Sequence, residues 1–266
     1  MHNVNQVKLG SSQSSAKDLS VHAVDPASFL AGLCVSYGSD GLPSLLKSAG
    51  FRFGVSMGPS LSDTKKLAVL RCGERVPIRA SLKRSTGTIT ITSYANLVSG
   101  TDDSITVGAT VFTAQAGAAT PGDATFRAAT SNDATATSLA AQINAHATAS
   151  TKVYAVVASA VVTLYAVVEG AGTGHDVALA YTDNDVNVGA TVSGAALSGG
   201  SNTITDIAYV VIGAKMYVND VTGKADIAMT GFSTVTDAVY VNTELTGLDE
   251  DNASVAAVMV DMTGGL

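Results

Sequence analysis

A long stretch of low charge, residues 86–200, divides the chain into three parts. The stretch consists mainly of Ala, Thr, Val, Gly and Ser, and it carries two cationic and eight acidic side chains. Residues 1–84 carry eleven cations against five acids, and the residues after 200 carry two against nine, so the formal charges of the three parts are +6, −6 and −7. Opposite charges favour association of the two ends. We therefore interpret the middle as an inserted domain.

Composition narrows the classes of protein to which this chain of 266 residues can belong. Its length allows one large or two ordinary domains. Hydrophobic residues make up 46% and charged residues 14%, which argues against disorder. Trp is absent and aromatic residues make up 5%, so the usual lining of an enzyme or ligand pocket is scarce. The isoelectric point of about 4.9 disfavours nucleic acid as a partner, because phosphate binding relies on clustered Lys and Arg.

Neither a membrane segment nor a disulfide is predicted. The longest apolar run, residues 153–168, is shorter than the roughly 20 residues of a membrane helix and is rich in Val. We interpret it as two buried strands joined near residues 158–160. Cys34 and Cys72 lack a CxxC spacing and follow no secretory leader, which favours two buried reduced thiols.

Short apolar runs separated by Gly and Pro predict many strands. We expect a mainly β protein, in which a β-barrel-like frame domain is split by an inserted β-rich domain with a single α-helix. The expected parts are an extended N-terminal arm (1–20), the first part of the frame (21–85), the insert (86–202) and the second part of the frame (203–266). Frame strands are expected near 51–55, 67–71, 76–80, 208–212, 215–218, 239–241 and 254–262, with one helical turn over 42–49.

The insert has one helical pattern and one internal echo. Apolar residues at helical spacing predict an amphipathic helix over about 135–148, capped by Ser131, Asp133 or Thr135. Strict alternation over residues 88–92 predicts a strand with both isoleucines on one face. Residues 101–111 and 182–192 are identical at seven of eleven positions, which we interpret as one strand-turn unit used twice within a domain.

Residues 54–58, Gly-Val-Ser-Met-Gly, match the nucleophile-elbow pattern GxSxG around Ser56. That chemistry needs a strand before the serine, a helix after it, a histidine base and oxyanion donors. The neighbouring sequence does not alternate strands with helices, and His146 and His175 lie within the presumed insert. We interpret the pattern as a glycine-flanked turn and expect no enzymatic activity.

Other patterns resemble ligand sites incompletely. Residues 183–187, Asp-Asn-Asp-Val-Asn, alternate oxygen ligands as a calcium loop does, but Gly189 comes one place late and Gly194 replaces the bidentate Glu. The glycines at 170, 172 and 174 do not complete a dinucleotide motif and are interpreted as a hairpin tip. The histidines lack ligand spacing, and residues 249–252 are expected to be a solvated turn. We expect no catalytic, cofactor-binding or metal site.

Several phrases resemble structural proteins of tailed-bacteriophage virions. In the insert they are at 110–114 (Thr-Val-Phe-Thr-Ala), 134–145, 161–164 and 170–172, which look like a small β-rich module that recurs in phage particles. In the frame they are at 54–58, 68–71, 76–78, 217–219 and 261–266 (Asp-Met-Thr-Gly-Gly-Leu), which are similar to capsid decoration (cement) proteins with a compact β-barrel core.

The resemblance implies a non-enzymatic protein without a cofactor, made in the host cytoplasm and bound to the outer capsid surface of the virion. Its implied partners are the major capsid protein and copies of itself, often as a trimer, rather than nucleic acid or a membrane. The partly cationic N-terminal arm is the candidate for contact with a neighbour or with an acidic shell surface. Alternatively, the basic residues at 71, 75 and 79 balance the acidic C-terminal segment within one barrel.

Two other functions stay open. One is a phage tail protein, either a tube subunit or a tube-decorating subunit, that uses the same module for ring packing. The other is a surface adhesin or carbohydrate-binding module. Adhesins present aromatic platforms, and the rings expected on the solvent side of the insert are those of Tyr94, Phe112, Phe126 and Tyr181.

Overall fold

The structure, a computed structural model, describes residues 6–8, 18–23, 33–37, 43–44, 52–56, 66–72, 76–172, 174–204, 212–220, 222–227, 233–248 and 254–262. The protein is mainly β, as the sequence predicts, and its described residues include one α-helix, α1 (Asn132–Ala145). The strands are β1 (Gln6–Lys8), β2 (Asp18–Ala23), β3 (Cys34–Tyr37), β4 (Pro43–Ser44), β5 (Arg52–Ser56), β6 (Lys66–Cys72), β7 (Val76–Arg79), β8 (Thr86–Ile91), β9 (Ser104–Val107), β10 (Thr110–Gln115), β11 (Thr125–Arg127), β12 (Val153–Ala158), β13 (Val161–Ala166), β14 (Leu179–Thr182), β15 (Ala190–Val192), β16 (Lys215–Asn219), β17 (Ala225–Asp226), β18 (Ser233–Leu248) and β19 (Ser254–Asp261).

The chain folds as two compact units. The frame unit consists of Met1–Leu82 together with Thr203–Leu266, and the inserted unit is Lys83–Asn202. The inserted unit begins three residues before the low-charge stretch. It thus includes the two cations at positions 83 and 84, which the charge distribution assigns to the frame.

Two open sheets form the frame unit. One has the strand order β17-β16-β18-β19-β7, with β1 parallel to the end of β18, and the other has the antiparallel order β2-β6-β5-β3-β4. Neither sheet closes into a barrel within the residues described above, so the frame differs in this respect from the expected β-barrel-like domain. The strands β6 and β7 are neighbours in sequence, yet they belong to different sheets.

Several expectations for the frame change with this topology. Within the expected arm, residues 6–8 form β1 and residues 18–20 begin β2, so both segments are paired strands. Pro43–Ser44 is a strand where a helical turn was expected. The strand expected at 208–212 and the turn expected at 249–252 lie outside the described residues, apart from Ile212.

The inserted unit combines two four-stranded sheets with α1. The sheet orders are β11-β10-β9-β14 and β12-β13-β8-β15, and α1 packs against β8, β11, β12 and β13. In β8 the expected alternation is confirmed, since Ile89 and Ile91 are both buried. The buried core also contains Phe112, Phe126 and Leu139. Burying this much aliphatic and aromatic surface is the main stabilising contribution to such a unit.

Helix α1 begins after Ser131, whose hydroxyl accepts a hydrogen bond from the backbone N–H of Ala134 at 3.1 Å. The helix ends at Ala145, three residues earlier than predicted, because His146 adopts an extended backbone conformation. The ring Nδ1 of His146 accepts the N–H groups of Thr148 and Ala149 at 3.2 and 3.3 Å, which stabilises the turn after the helix.

Side chains of α1 cover two strand edges of the inserted unit. The amide of Asn144 accepts the N–H of Ala155 and donates to its carbonyl oxygen, both at 2.8 Å, which occupies the outer edge of β12. The hydroxyl of Ser138 accepts the N–H of Arg127 at 2.9 Å at the edge of β11. The engaged backbone groups of Ala155 and Arg127 are not available to strands of other molecules, and covering an edge in this way is a common protection against aggregation.

The first and last residues of the inserted unit are paired with each other. Thr86 and Ser198 exchange two backbone hydrogen bonds of 2.8 and 2.9 Å, and the N–H of Ser201 donates to the Lys83 carbonyl at 3.0 Å. Arg84 is buried and donates to the carbonyl oxygen of Ala166 at 3.2 Å. We call these paired segments, residues 83–86 and 198–202, the neck.

Candidate functional site

The hydroxyl of Ser56 has a structural role in the frame unit. It ends strand β5, so the expected glycine-flanked turn is wrong for residues 54–56. Its side chain is fully buried, and its hydroxyl accepts the N–H of Leu33 at 3.0 Å and donates to the Leu33 carbonyl at 3.2 Å. The hydroxyl thereby links β5 to the start of β3. His146 and His175 belong to the inserted unit.

A buried polar cluster surrounds Asp226 in the frame unit. Its carboxylate accepts hydrogen bonds from Ser81 Oγ and Asn219 Nδ2, both at 3.0 Å, and from the Ile227 N–H at 2.8 Å. The buried hydroxyl of Tyr240 donates to the Asp226 carbonyl at 3.4 Å, and burial raises the pKa of Tyr240 well above its ordinary value of 10.0. The cluster joins β16, β17 and β18 to Ser81, which follows β7. Sequence reasoning missed it because its members are up to 159 positions apart.

Cys34 lies at the start of β3 and is a buried thiol, as expected for that residue. The side chain of Cys72, at the end of β6, lies outside the described part of the structure.

The calcium-like segment forms a loop that is stabilised by its own carboxylates. We call residues 183–189 the valine loop. Asp183 accepts the N–H of Asp185 at 3.0 Å, and Asp185 in turn accepts the N–H of Asn187 at 2.6 Å and the hydroxyl of Ser99 at 2.9 Å. These are side-chain turns of the kind that Asp commonly makes with the backbone two residues ahead. The N–H of Asn187, followed by the hydroxyl of Ser99, lowers the pKa of Asp185 below its ordinary value of 3.8.

A second set of contacts fixes the base of the valine loop. The buried carboxylate of Asp103 accepts the N–H of Asn184 at 2.9 Å and also the hydroxyl of Tyr181. The Tyr181 oxygen accepts the N–H of Gly189 at 2.8 Å, and Asn96 Nδ2 donates to the Val188 carbonyl at 3.1 Å. Among the described residues, no group of three or more His, Cys, Asp or Glu side chains is placed to hold a metal ion.

The valine loop exposes two apolar side chains. Val186 is 91% exposed and Val188 is 52% exposed. The echo of this segment behaves in the opposite way, since Ile105 and Val107 at the equivalent positions of β9 are 0% and 1% exposed. The interpretation of the echo as one strand-turn unit used twice is therefore wrong for its first strand. At that point the first copy has the central strand β9 and the second has the valine loop, whereas the last residues of both copies lie in strands, β10 and β15.

The remaining patterns also have structural roles. Gly170, Gly172 and Gly174 have positive φ angles and connect β13 to β14, which belong to different sheets, so they are not a hairpin tip. The ring of His146 packs edge-on against Phe112 with a centroid distance of 5.5 Å. His2 lies outside the described residues.

Two of the four rings expected on the solvent side of the insert are in its core. Phe112 and Phe126 are fully buried, whereas Tyr94 and Tyr181 are partly buried at the margin of that core. The alternation of buried and exposed residues in β10 places Phe112 inward and Val111 outward, which sequence reasoning did not resolve. Of the four expected rings, only those of these two tyrosines are therefore accessible to a ligand.

The sequence matches no protein-family model and no curated protein. Within the described part of the chain, no helix combines the length and the apolar character needed to cross a membrane.

Proposed function

We propose that the protein is a non-enzymatic structural component of a phage virion that decorates and stabilises the capsid shell. The observation that carries the proposal is that one compact β-rich unit is inserted in the sequence of another, with the two ends of the inserted unit paired to each other. Such an organisation suits a protein whose frame unit is anchored in an assembly while the inserted unit offers a further contact surface. Repeated over many copies, modest contacts become strong through multivalency.

The distribution of polar groups supports this role. Ser56 and the carboxylates of Asp183 and Asp185, whose sequence patterns suggest chemistry, each hydrogen bond to backbone groups of the chain, and so does the buried carboxylate of Asp103. Using these groups for ligand chemistry would therefore break contacts that stabilise the fold. A role based on surface contact makes no such demand.

Exposed apolar side chains offer that contact surface. Large apolar residues with more than a third of their surface exposed occur in both units: Val111, Val168, Val186, Val188, Ile212 and Val241. Single exposed apolar residues are ordinary on protein surfaces, so binding to a shell would draw on several of them together. The proposed partners are the major capsid protein and copies of this chain.

The tail role remains the alternative within the same class, since a tube subunit would use the same units for ring packing. The adhesin role is weaker because Phe112 and Phe126 are buried and cannot form a carbohydrate platform.

Cryo-electron microscopy of virions from the native source tests the proposal. We expect density for both units on the icosahedral head, at the outer surface of the shell. Density on the tail would replace the capsid role with the tail role, and absence of the chain from purified virions would contradict both.

A second experiment distinguishes mere binding to the capsid shell from stabilisation of that shell. Shells that lack the protein are heated with and without the purified chain, and genome release is followed by a dye that binds nucleic acid. We expect release at a higher temperature with the chain present, and the heat-denatured chain serves as control. Binding without a change in release temperature would contradict the stabilising role.

A further inference from the structure

We propose that His146 is an acid-sensitive cap of helix α1, whose protonation releases the turn after the helix and uncovers the edge of strand β12. The inference concerns the inserted unit alone and does not rest on the virion role.

The hydrogen bonds of the His146 ring require a neutral imidazole. Its Nδ1 atom accepts the backbone N–H groups of Thr148 and Ala149 at 3.2 and 3.3 Å. A ring nitrogen that accepts carries no proton, so the proton of the neutral ring lies on Nε2. In the imidazolium form both nitrogens are donors, and the proton on Nδ1 would then face the two backbone N–H groups. Protonation is therefore incompatible with the observed turn.

Reorientation of the ring does not restore these bonds. The ring packs edge-on against Phe112 on β10, at a centroid distance of 5.5 Å and an interplanar angle of 73°. Flipping the ring about its bond to Cβ would put a carbon atom in the place of Nδ1, so the acceptor is lost in that orientation as well. Because Ala149 is buried, an N–H group left unpaired there is costly. The protonated form therefore favours an opened turn.

No carboxylate in the described part of the chain compensates for a proton on the ring. The segments next to the ring or to the helix end are β10, the last turn of α1, and residues 116–124 and 147–152. The charged or titratable side chains of these segments, of the start of α1 and of the strands packed on the helix are those of Asp123, Arg127, Asp133, Lys152, Tyr154 and Tyr165. Within the described residues, none of them forms an ion pair or a hydrogen bond with His146.

The end of a helix attracts a cation weakly, which opposes this effect. Here, however, the carbonyl oxygens of Gln142 and His146 already accept backbone N–H groups, at 2.9 and 3.0 Å. Their attraction for a charged ring is therefore reduced, whereas protonation removes two hydrogen bonds outright. The loss of the two bonds decides the sign, so the turn is stable in neutral solution and opens as the pH falls.

The cap of α1 is connected to β12 through Asn144. This residue lies two positions before His146, in the last turn of the helix, and its amide pairs with the N–H and the carbonyl group of Ala155 at 2.8 Å. The carbonyl oxygen of His146 also accepts the N–H and the hydroxyl of Ser150, at 3.0 and 2.8 Å. Opening of the turn removes these constraints, so the helix end frays and Asn144 separates from Ala155. The uncovered edge is then available to a strand of another molecule.

Amide hydrogen exchange of the full chain at two pH values tests the cap. Histidine side chains are mostly neutral at about pH 8 and mostly charged at about pH 5.5. After correction for the intrinsic effect of pH on exchange, we expect the amides of Ala149 and Ala155 to exchange at least about ten-fold faster at the lower pH. The amides of β8, in the same unit, should keep their protection at both pH values.

Three variants separate protonation from mere loss of the residue. His146→Asn places an acceptor oxygen close to the position of Nδ1 and does not titrate, so its exchange should stay slow at both pH values. His146→Phe keeps a ring against Phe112 without an acceptor, and its exchange should be fast at both. His175→Asn removes a histidine between β13 and β14 and should respond to acid as the wild type does. Acid-independent exchange in the wild type, or an acid response of His146→Asn equal to that of the wild type, would overturn the proposal.

Static light scattering at about pH 5.5 tests the release of β12. The wild type and His175→Asn should associate faster than His146→Asn in acid, whereas all three should behave alike in neutral solution. The isoelectric point of about 4.9 favours association of any variant in acid. Because His146→Asn and His175→Asn lose the same charge, however, a difference between them reports on the cap. Equal association of these two variants would contradict the coupling of His146 to the edge of β12.

Discussion

The hydroxyl of Tyr181 donates a hydrogen bond to the buried carboxylate of Asp103 and accepts one from the backbone N–H of Gly189 at 2.8 Å. One side chain at the end of β14 thus connects the segment before β9 with the end of the valine loop. The loop keeps its shape because both of its ends are tied to this pair.

Replacing Tyr181 with Phe should loosen the valine loop. The variant removes the donor to Asp103, which is buried, and leaves the Gly189 N–H without this acceptor, so we expect a loss of about 1–3 kcal/mol in the free energy of unfolding. Amide hydrogen exchange of residues 184–189 should accelerate, as measured by mass spectrometry. The matched control is Tyr165→Phe, a half-buried tyrosine on β13, which should change both quantities little. Equal effects of the two variants would contradict the role of the Tyr181 hydroxyl.

Stability should fall at high pH because of the same residue. Burial, followed by the hydrogen bond to Asp103, raises the pKa of Tyr181 from 10.0 to about 12, against the opposing contact with the Gly189 N–H. A pKa raised in the folded state stabilises the fold below pH 10, and this contribution disappears as the pH rises towards 12. Titration of tyrosinate absorbance should show one fewer tyrosine of raised pKa in Tyr181→Phe than in the wild type, because Tyr240 keeps its raised pKa in both. Ionisation of Tyr181 near pH 10 would refute this expectation.

Gly200 is a position of the neck where a side chain cannot fit. A Cβ atom there would overlap the backbone oxygen of Gly170 and lie 2.6 Å from Ser85 Oγ. Because a backbone atom cannot rotate away, Gly200→Ala should destabilise the inserted unit by more than about 3 kcal/mol, as seen in thermal unfolding. Gly117→Ala is the control, since a Cβ at that position meets no atom within 4 Å. Wild-type stability of the Gly200 variant would show that the neck is not this tightly packed.

Opening the edge of β12 should promote aggregation. Asn144→Ala removes two hydrogen bonds to Ala155, and the net loss should be about 1–2 kcal/mol because Ala favours the helix. Light scattering at elevated temperature should rise sooner than for the wild type. Thr137→Ala on the exposed face of the same helix is the control and should not aggregate faster. Identical scattering from the two variants would argue against edge protection by Asn144.

Ser56→Ala should affect stability through the frame unit. The variant leaves the buried N–H of Leu33 without its hydroxyl acceptor, so we expect a loss of about 1–3 kcal/mol in chemical denaturation. Labelling of the wild type by a serine-reactive fluorophosphonate should not occur at Ser56. Covalent modification of Ser56 under native conditions would revive a nucleophilic role.

Periodicity made the insert the most predictable part of the chain. The alternation in β8 and the apolar spacing around Leu139 each describe one buried face, and local pattern is sufficient for both. The helix end was misjudged because Ala147 continues the apolar pattern, whereas the ring of His146 turns the chain by accepting two N–H groups. That interaction depends on a side-chain orientation that spacing does not encode.

Tertiary contacts explain why the sequence did not predict the loop in the second copy of the echo or the place of Arg84 in the neck. Gly189 corresponds to Gly108 in sequence, but a Cβ at Gly189 would lie 2.7 Å from the side chain of Leu97, so the two glycines have different surroundings. Arg84 was assigned to the frame by its charge, yet its guanidinium reaches carbonyl groups at the end of β13. Both outcomes are decided by residues more than 80 positions away, where composition and periodicity carry no information.

The paired neck has a consequence for the order of folding. Residues 83–202 separate the two halves of the frame in sequence, and bringing together distant segments of an unstructured chain is slow and entropically unfavourable. Once the inserted unit has folded, Thr86 and Ser198 are already neighbours, so the halves of the frame are joined as if by a short connection. The chain segment that must be closed when the halves of the frame pair is then effectively short, so we expect the inserted unit to fold before the frame.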